Sequence, residues 1–356
     1  MVDAVIHIGL GKSGSSALQY ALSQRPIIKA LKNKKYKQVR YVSIDKTGYL
    51  YEGKQLANYA KYVPSGYSRS CNPKFMKTFS DEMFSLLNSK LHELSNNGES
   101  LIVLSSEGWS IQANQFKNND IFKKLGINAY VICYVRNPVE WINSAWWQWG
   151  AWSGMSLDDY VMWAIKEEVS KWPNILKKWQ NYLGKEQVTV KVLPKDIIRD
   201  FYEFIGVSTD SISTFRSNST LSAEFLRFYQ QHRELRPSPH ESAMDFILSD
   251  VMPIDNSFEK TPWVLNEKHI KSILEETYDS NQSLIKLFEN NSKEVCINDN
   301  KWWELSAFIN KRVSTEFCYE DYLPIEKLDA MLFLSLKSIK KLYLENLKLK
   351  KMLDPK

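Results

Sequence analysis

The sequence predicts an α/β fold with a central parallel sheet flanked by helices, followed by a helical carboxyl-terminal region. Short apolar runs suited to buried strands recur at 5–8, 101–104 and 129–135. Stretches with helical apolar spacing separate them, so strands and helices alternate along the chain. The first run also passes through a turn of small residues directly into a helix start, a connection at home where ligands bind at the carboxyl ends of parallel strands.

The first element is Val5, Ile6 and Ile8, followed by Gly9 and Gly11, which free the backbone for a tight turn. Lys12 comes next, then Ser13, Gly14, Ser15 and Ser16, and Ala17, Leu18, Ala21 and Leu22 continue with helical spacing to near Pro26. Free amides and hydroxyls at a helix start make an anion site, favoured by the helix dipole. The nucleotide pattern G-x-x-x-x-G-K-[ST] fits only in its second half, because its first glycine falls on Ile6. The loop is therefore too short to wrap a triphosphate in the usual way. Residues 29–73 are mixed and basic, with weak periodicity, and read as an insertion over cofactor or acceptor.

Phe79, Met83, Leu86, Leu87, Leu91 and Leu94 mark an amphipathic helix ending at Asn96-Asn97-Gly98. The second strand runs into Ser105-Ser106-Glu107-Gly108-Trp109, and a helix then leads to Gly126. The third strand runs into Arg136-Asn137-Pro138, where Pro138 suits a first helical turn. Ser144 lies two turns into that helix and can converge with Arg136 on one anion, the Arg supplying a donor fork. A structural Arg–carboxylate pair is the alternative. Residues 188–193 alternate as a strand, and Ile197, Ile198, Phe201, Phe204 and Ile205 mark a helix closed by Gly206.

The stretch His7-Ile8-Gly9-Leu10-Gly11-Lys12-Ser13-Gly14-Ser15-Ser16 resembles the phosphosulfate-binding loop of sulfotransferases that use 3'-phosphoadenylyl sulfate (PAPS). Bacterial members often carry a His-Ile-Gly strand end and a Lys-Thr-Gly-Thr-Thr loop. Here serines replace the threonines and keep the hydroxyls. Arg136-Asn137-Pro138 with Ser144 is similar to the family's 3'-phosphate motif. Phe215-Arg216-Ser217-Asn218-Ser219-Thr220-Leu221-Ser222 is similar to its Asn-x-Ser-Leu-Ser region, with Thr220 at the first serine. The resemblance covers residues 5 to 235 and is strong only at the two phosphate motifs.

It implies a three-layer P-loop-like fold and a PAPS-binding core at 1–235, with adenosine 3',5'-bisphosphate as the product. Gly11, Lys12, Ser13, Gly14, Ser15, Ser16, Arg136 and Ser144 are then the nucleotide contacts, with Arg216 and Asn218 from the segment that folds over the nucleotide. Sulfuryl transfer, by analogy with phosphoryl transfer, is a matter of positioning and charge stabilisation. Lys12 is placed to neutralise the leaving phosphate, and no metal is expected. Glu107, at a strand end beside the loop, is the candidate base for an alcohol or amine acceptor, with helix capping or a Lys pair as its structural alternative. His7 is the reserve candidate, although a strand histidine is more often packed and hydrogen-bonded. Ser-Ser-Glu after this strand is similar to the carbohydrate-modifying branch.

With 356 residues, 44% hydrophobic and 25% charged, the composition suits a soluble protein with a sizeable core. The first strand begins within a few residues of Met1, leaving no room for a cleavable signal, and a cytoplasmic location is expected. Cys71, Cys133, Cys296 and Cys318 fit no metal or disulfide spacing. The net charge of +6 suits an anionic ligand, and no basic stripe interleaved with aromatics argues for nucleic acid. Eight of twelve tryptophans fall from Trp141 to Trp179. Trp146, Trp147, Trp149 and Trp152 offer faces for a small-molecule or glycan acceptor, with carbohydrate favoured over a phenolic, peptide or lipid-like one.

Residues 236–324 read as a helical region over the acceptor, and 325–356 as a long helix. There Ile325, Leu328, Leu332, Ile339, Leu342, Leu349 and Leu353 follow a heptad spacing that can specify a homodimer, packing back on the chain's own domain being the alternative. Its lysines suit either an anionic membrane face or a solvated surface. Two other functions stay open: a P-loop nucleotide kinase using ATP, and a non-catalytic nucleotide-binding or scaffold protein.

Overall fold

The computed structural model describes residues 1–30, 35–63, 65–208, 222–241, 244–245, 261–311, 313 and 325–353. Its core is sorted by the two-residue period of the central strands, β1 (Val2–Ile8), β5 (Ser100–Ser106) and β6 (Ile127–Val135). Ala4, Ile6, Ile8, Ile102, Leu104, Val131, Cys133 and Val135 join one apolar cluster. Val5, Leu101, Val103, Ile132 and Tyr134 join the other. Strands covered on both faces read as nearly unbroken apolar runs, and this made them legible in the sequence.

Four more strands complete the sheet: β2 (Ile27–Lys29), β3 (Gln38–Ile44), β4 (Leu50–Glu52) and β7 (Val188–Val192). The order is β2-β3-β5-β1-β6-β7, with β4 also on β3. Strands β3, β5, β1, β6 and β7 run parallel, whereas β2 and β4 are antiparallel to β3. The stretch read as an insertion therefore supplies a core strand. Arg40 and Ser43 interrupt the apolar run of Val39, Tyr41, Val42 and Ile44 and hide it.

Helices Ser15–Gln24, Gly53–Tyr62 and Ile197–Phe204 cover one face through Leu18, Leu22, Leu56, Ile198 and Phe201. Helices Asp81–Ser95, Pro138–Gln148 and Trp172–Leu183 lie on the other side, and Leu157–Glu167 and Glu267–Ile285 pack onto these helices within the same apolar cluster. Ser80 caps the 81–95 helix by accepting from the Met83 amide, and Asn96 ends it in the left-handed region. Leu86, expected inside, is 71% exposed on its outer face. Between Glu107 and Gly126 the chain forms short pieces, Glu107–Gln112, Ala113–Asn118 and Ile121–Lys124, broken by Asp120 at φ 49°.

Helix 267–285 puts Ile270, Ile273, Leu274 and Leu284 into the first cluster, so it shares the core of the α/β body. The last helix, Ile325–Leu353, reaches that core through Met331 and leaves Leu328, Leu332, Ile339, Leu342 and Leu349 exposed. Among the described residues no helix is long and apolar enough to cross a membrane.

The helix after β1 lies on one face of the sheet and the helix after β6 on the other. Their diverging connections open a crevice at the carboxyl ends of the strands, the position where doubly wound sheets bind ligands.

Candidate active site

Backbone geometry builds the turn after β1. A Cβ on Gly9 would lie 2.1 Å from Ser15 Oγ and 3.2 Å from the Glu107 Cα, so only glycine lets the helix start and the β5 end close in together. Gly11 (φ 65°), Lys12 (φ 47°) and Gly14 (φ 80°) are all left-handed. At Lys12 that conformation costs about 1–2 kcal/mol. Trp141 Nε1 and Ser13 Oγ both donate to the Gly11 carbonyl, at 2.9 and 3.0 Å, and fix the turn from two sides. Gly14 caps the 15–24 helix without a side-chain acceptor, and the first turn holds no acidic residue. Ser15 Oγ is buried with no hydrogen-bond partner, and Ser16 Oγ accepts from the Tyr67 hydroxyl at 3.2 Å. Uncapped amides and a lysine therefore line one place, with the orphaned hydroxyl buried just behind it, and an oxyanion fits there.

Lys12 lines a cavity of 790 Å³ together with Gly14, Ser15, Ser16, Arg136, Asn137 and Ser144. The turn after β1 and the Arg136–Ser144 stretch, far apart in sequence, thus share one chamber. Arg136 Nη1 donates to Ser144 Oγ at 2.9 Å, and its guanidinium lies 3.5 Å from the Glu140 carboxylate. Asn137 caps the 138–148 helix by accepting from the Glu140 amide. Burial works against the charge on Glu140, yet Lys301 and Arg136 hold its carboxyl below the usual range. Lys195, Lys301 and Lys311 also line the chamber, giving five cationic side chains against Glu107, Glu140 and Asp299. Burial pulls Lys12 down to about 8, against the opposing field of Glu107, with Arg136 and Arg236 adding to the depression.

Glu107 is where three cavities meet. It lines the 790 Å³ chamber, a 450 Å³ cavity and a 630 Å³ cavity. The register that pairs Ile8 with Ser106 brings Glu107 beside Gly9, and its Oε1 lies 3.4 Å from where a Gly11 Cβ would stand. Among the described residues no hydrogen bond or ion pair engages its carboxylate. The 450 Å³ cavity is walled by Trp141, Trp149, Tyr160, Trp163 and Trp172. Tyr51, Tyr59, Tyr67 and Arg69 wall the 630 Å³ one.

No family model matches the chain, and no curated protein matches it. Among solved structures, the crystal structure of a sulfotransferase from Alicyclobacillus acidocaldarius is similar at 15% identity and a TM-score of 0.33. The likeness covers 67% of this chain and 94% of that one. So distant a likeness carries no weight on function; the geometry of the three cavities does.

His7, the reserve base, lies inside the sheet face away from these cavities. It is fully buried, its Nδ1 is 2.8 Å from Ser105 Oγ, and Gln19 donates to the same hydroxyl. Burial pulls its imidazole down to about 3, so it stays neutral at working pH. Arg216 and Asn218 lie outside the described residues, and Ser222 caps the 223–231 helix.

Of the four tryptophans expected at the acceptor, Trp149 lines the aromatic cavity. Trp146 packs edge-on against Tyr160. Trp147 and Trp152 are buried, donating to the carbonyls of Pro262 and Trp147. Arg236 is buried under Trp152, paired with Asp245 and donating to the Gln148 carbonyl, and so ties the 233–241 segment to the 138–148 helix. That segment brings Pro239 and His240 into the walls of two of the cavities that Glu107 lines.

Sequence reading missed Lys301, Trp263 and Lys311 in the 790 Å³ chamber, and Tyr160 and Glu168 in the aromatic cavity. Of the 236–324 region, Trp263, Asp299, Lys301 and Lys311 line the chamber of Lys12 and Arg136, and Pro239 and His240 line the aromatic cavity. No motif surrounds these residues, and only packing brings them to the crevice.

Proposed function

We propose that this chain is a sulfotransferase that moves a sulfuryl group from PAPS to a hydroxyl of an acceptor, with carbohydrate favoured by the ring face of Trp149. The observation that supports this reading most is the sharing of one chamber by Lys12 and the Arg136–Ser144 pair, with Glu107 in the wall it shares with the aromatic cavity.

Bound there, PAPS supplies an activated sulfur on a phosphate leaving group. Lys12 and the uncapped amides at Ser15 and Ser16 hold the 5'-phosphate and stabilise its charge as the bond to sulfur breaks. Arg136 and Ser144 hold the 3'-phosphate, the guanidinium already oriented by Ser144. Glu107 takes the proton of the acceptor hydroxyl as its oxygen bonds to sulfur. Charge would balance: Lys12 would neutralise the 5'-phosphate that keeps the electron pair of the broken bond, and Glu107 would hold the proton until water removes it.

A transfer assay with sulfur-labelled PAPS and a panel of hydroxyl-bearing acceptors, sugars included, tests the reading. Label should pass to at least one acceptor. Tighter binding of ATP with Mg²⁺ than of adenosine 3',5'-bisphosphate would point to a kinase instead.

A further inference from the structure

The aromatic cavity beside Glu107 is electrostatically one-sided. Among its described lining residues there is no Lys or Arg, while two carboxylates line it, Glu107 and Glu168. The exposed His240 is the one lining side chain able to carry a positive charge. Glu168 follows directly on the 157–167 helix that supplies Tyr160 and Trp163. Its carboxylate is half-buried, and among the described residues no hydrogen bond or ion pair engages it. Lys171, whose field reaches it, is ion-paired with Glu167 at 2.5 Å. Burial pushes the Glu168 carboxyl up, as expected of a charge with no partner.

A second observation sits beside it. Tyr160 is 2% exposed, and its hydroxyl is buried with no hydrogen-bond partner, within the field of Glu168. An unpaired carboxylate and an unpaired phenol among indole faces are costly unless a ligand satisfies them. An anionic ligand would worsen the balance. A cation would pair with Glu168 and gain from the π faces of Trp149, Trp163 and Trp172.

We infer that this cavity is the acceptor site and that it selects an acceptor whose ring scaffold carries an ammonium group, the ammonium at Glu168 and the reacting hydroxyl at Glu107. The fate of that hydroxyl rests on the sulfotransferase reading; the preference for a cation does not. An amino sugar and an arylalkylamine share this chemistry. Glu168 acts in recognition only, and the proton moves to Glu107.

Two matched pairs of ligands test this by tryptophan fluorescence and calorimetry on the full chain: tyramine against N-acetyltyramine, and glucosamine against N-acetylglucosamine. In at least one pair the amine should bind about tenfold more tightly than its uncharged partner. Preference in the first pair identifies an arylalkylamine, and in the second an amino sugar. Glu168→Gln should erase the preference while leaving affinity for adenosine 3',5'-bisphosphate unchanged, which also checks that the variant is folded. Equal binding within both pairs, no binding by any member, or a preference that survives in Glu168→Gln would overturn the assignment. Failure of the bisphosphate to bind the wild-type chain would instead sink the sulfotransferase reading and leave the cation preference to be judged by the two pairs.

Discussion

Lys12 lies in the field of Glu107, and its own titration is readable in binding. The free site holds Lys12 at about 8, and a bound phosphate restores its ammonium and raises that value. Bisphosphate affinity should therefore be full below pH 8 and fall by up to about tenfold per unit above it. Calorimetry across pH 7–10 checks this, and Lys12→Ala should bind weakly with a flat profile. A wild-type affinity that rises with pH would contradict it. Glu107→Gln should keep nucleotide affinity and lower turnover by about two orders of magnitude; unchanged turnover would remove it from the chemistry. Both residues stood out in the sequence because strand ends and glycines flank them. Glu168 and Lys301 did not, since their importance comes from which distant elements pack beside them.

Elements carry the next set of consequences. The β1 end, the 15–24 helix and the start of the 107–112 turn close on Gly9 with no room for a methyl group. Gly9→Ala must push Ser15 or the Glu107 backbone aside, costing about 1–3 kcal/mol. A thermal melt should show a lower Tm together with weaker bisphosphate binding, and an unchanged melt would mean that the junction is looser than drawn. The strands β1, β5 and β6 were legible as apolar runs, and the 81–95 helix from its spacing and its asparagine stop. Strand β3 was hidden by Arg40 and Ser43, and the 107–126 stretch by local turns at Asp120. In the 325–353 helix, Leu328, Leu332, Ile339, Leu342 and Leu349 stay exposed in one copy. We propose that a second copy covers them as a coiled coil. Light scattering should report a dimer for the full chain and a monomer for a chain ending at Glu320; a monomer for both would return the helix to a solvated role.

At the scale of the molecule, distant parts of the chain converge on one crevice. A doubly wound sheet places the β1 turn and the β6 end on either side of one crevice, and residues 261–311 close that crevice with Lys301 and Lys311. The fold class followed from alternation of strands and helices, whereas the closing segment carried no motif and had to be seen in place. We propose that Lys12 and Arg136 grip two phosphates of one nucleotide. Calorimetry comparing adenosine 3',5'-bisphosphate with adenosine 5'-monophosphate, in the wild-type chain and in Arg136→Ala, tests it most directly. The wild type should prefer the bisphosphate by about tenfold or more, and Arg136→Ala should abolish the preference while still binding the monophosphate. Equal binding of the two nucleotides by the wild type, or a preference that persists without Arg136, would contradict it.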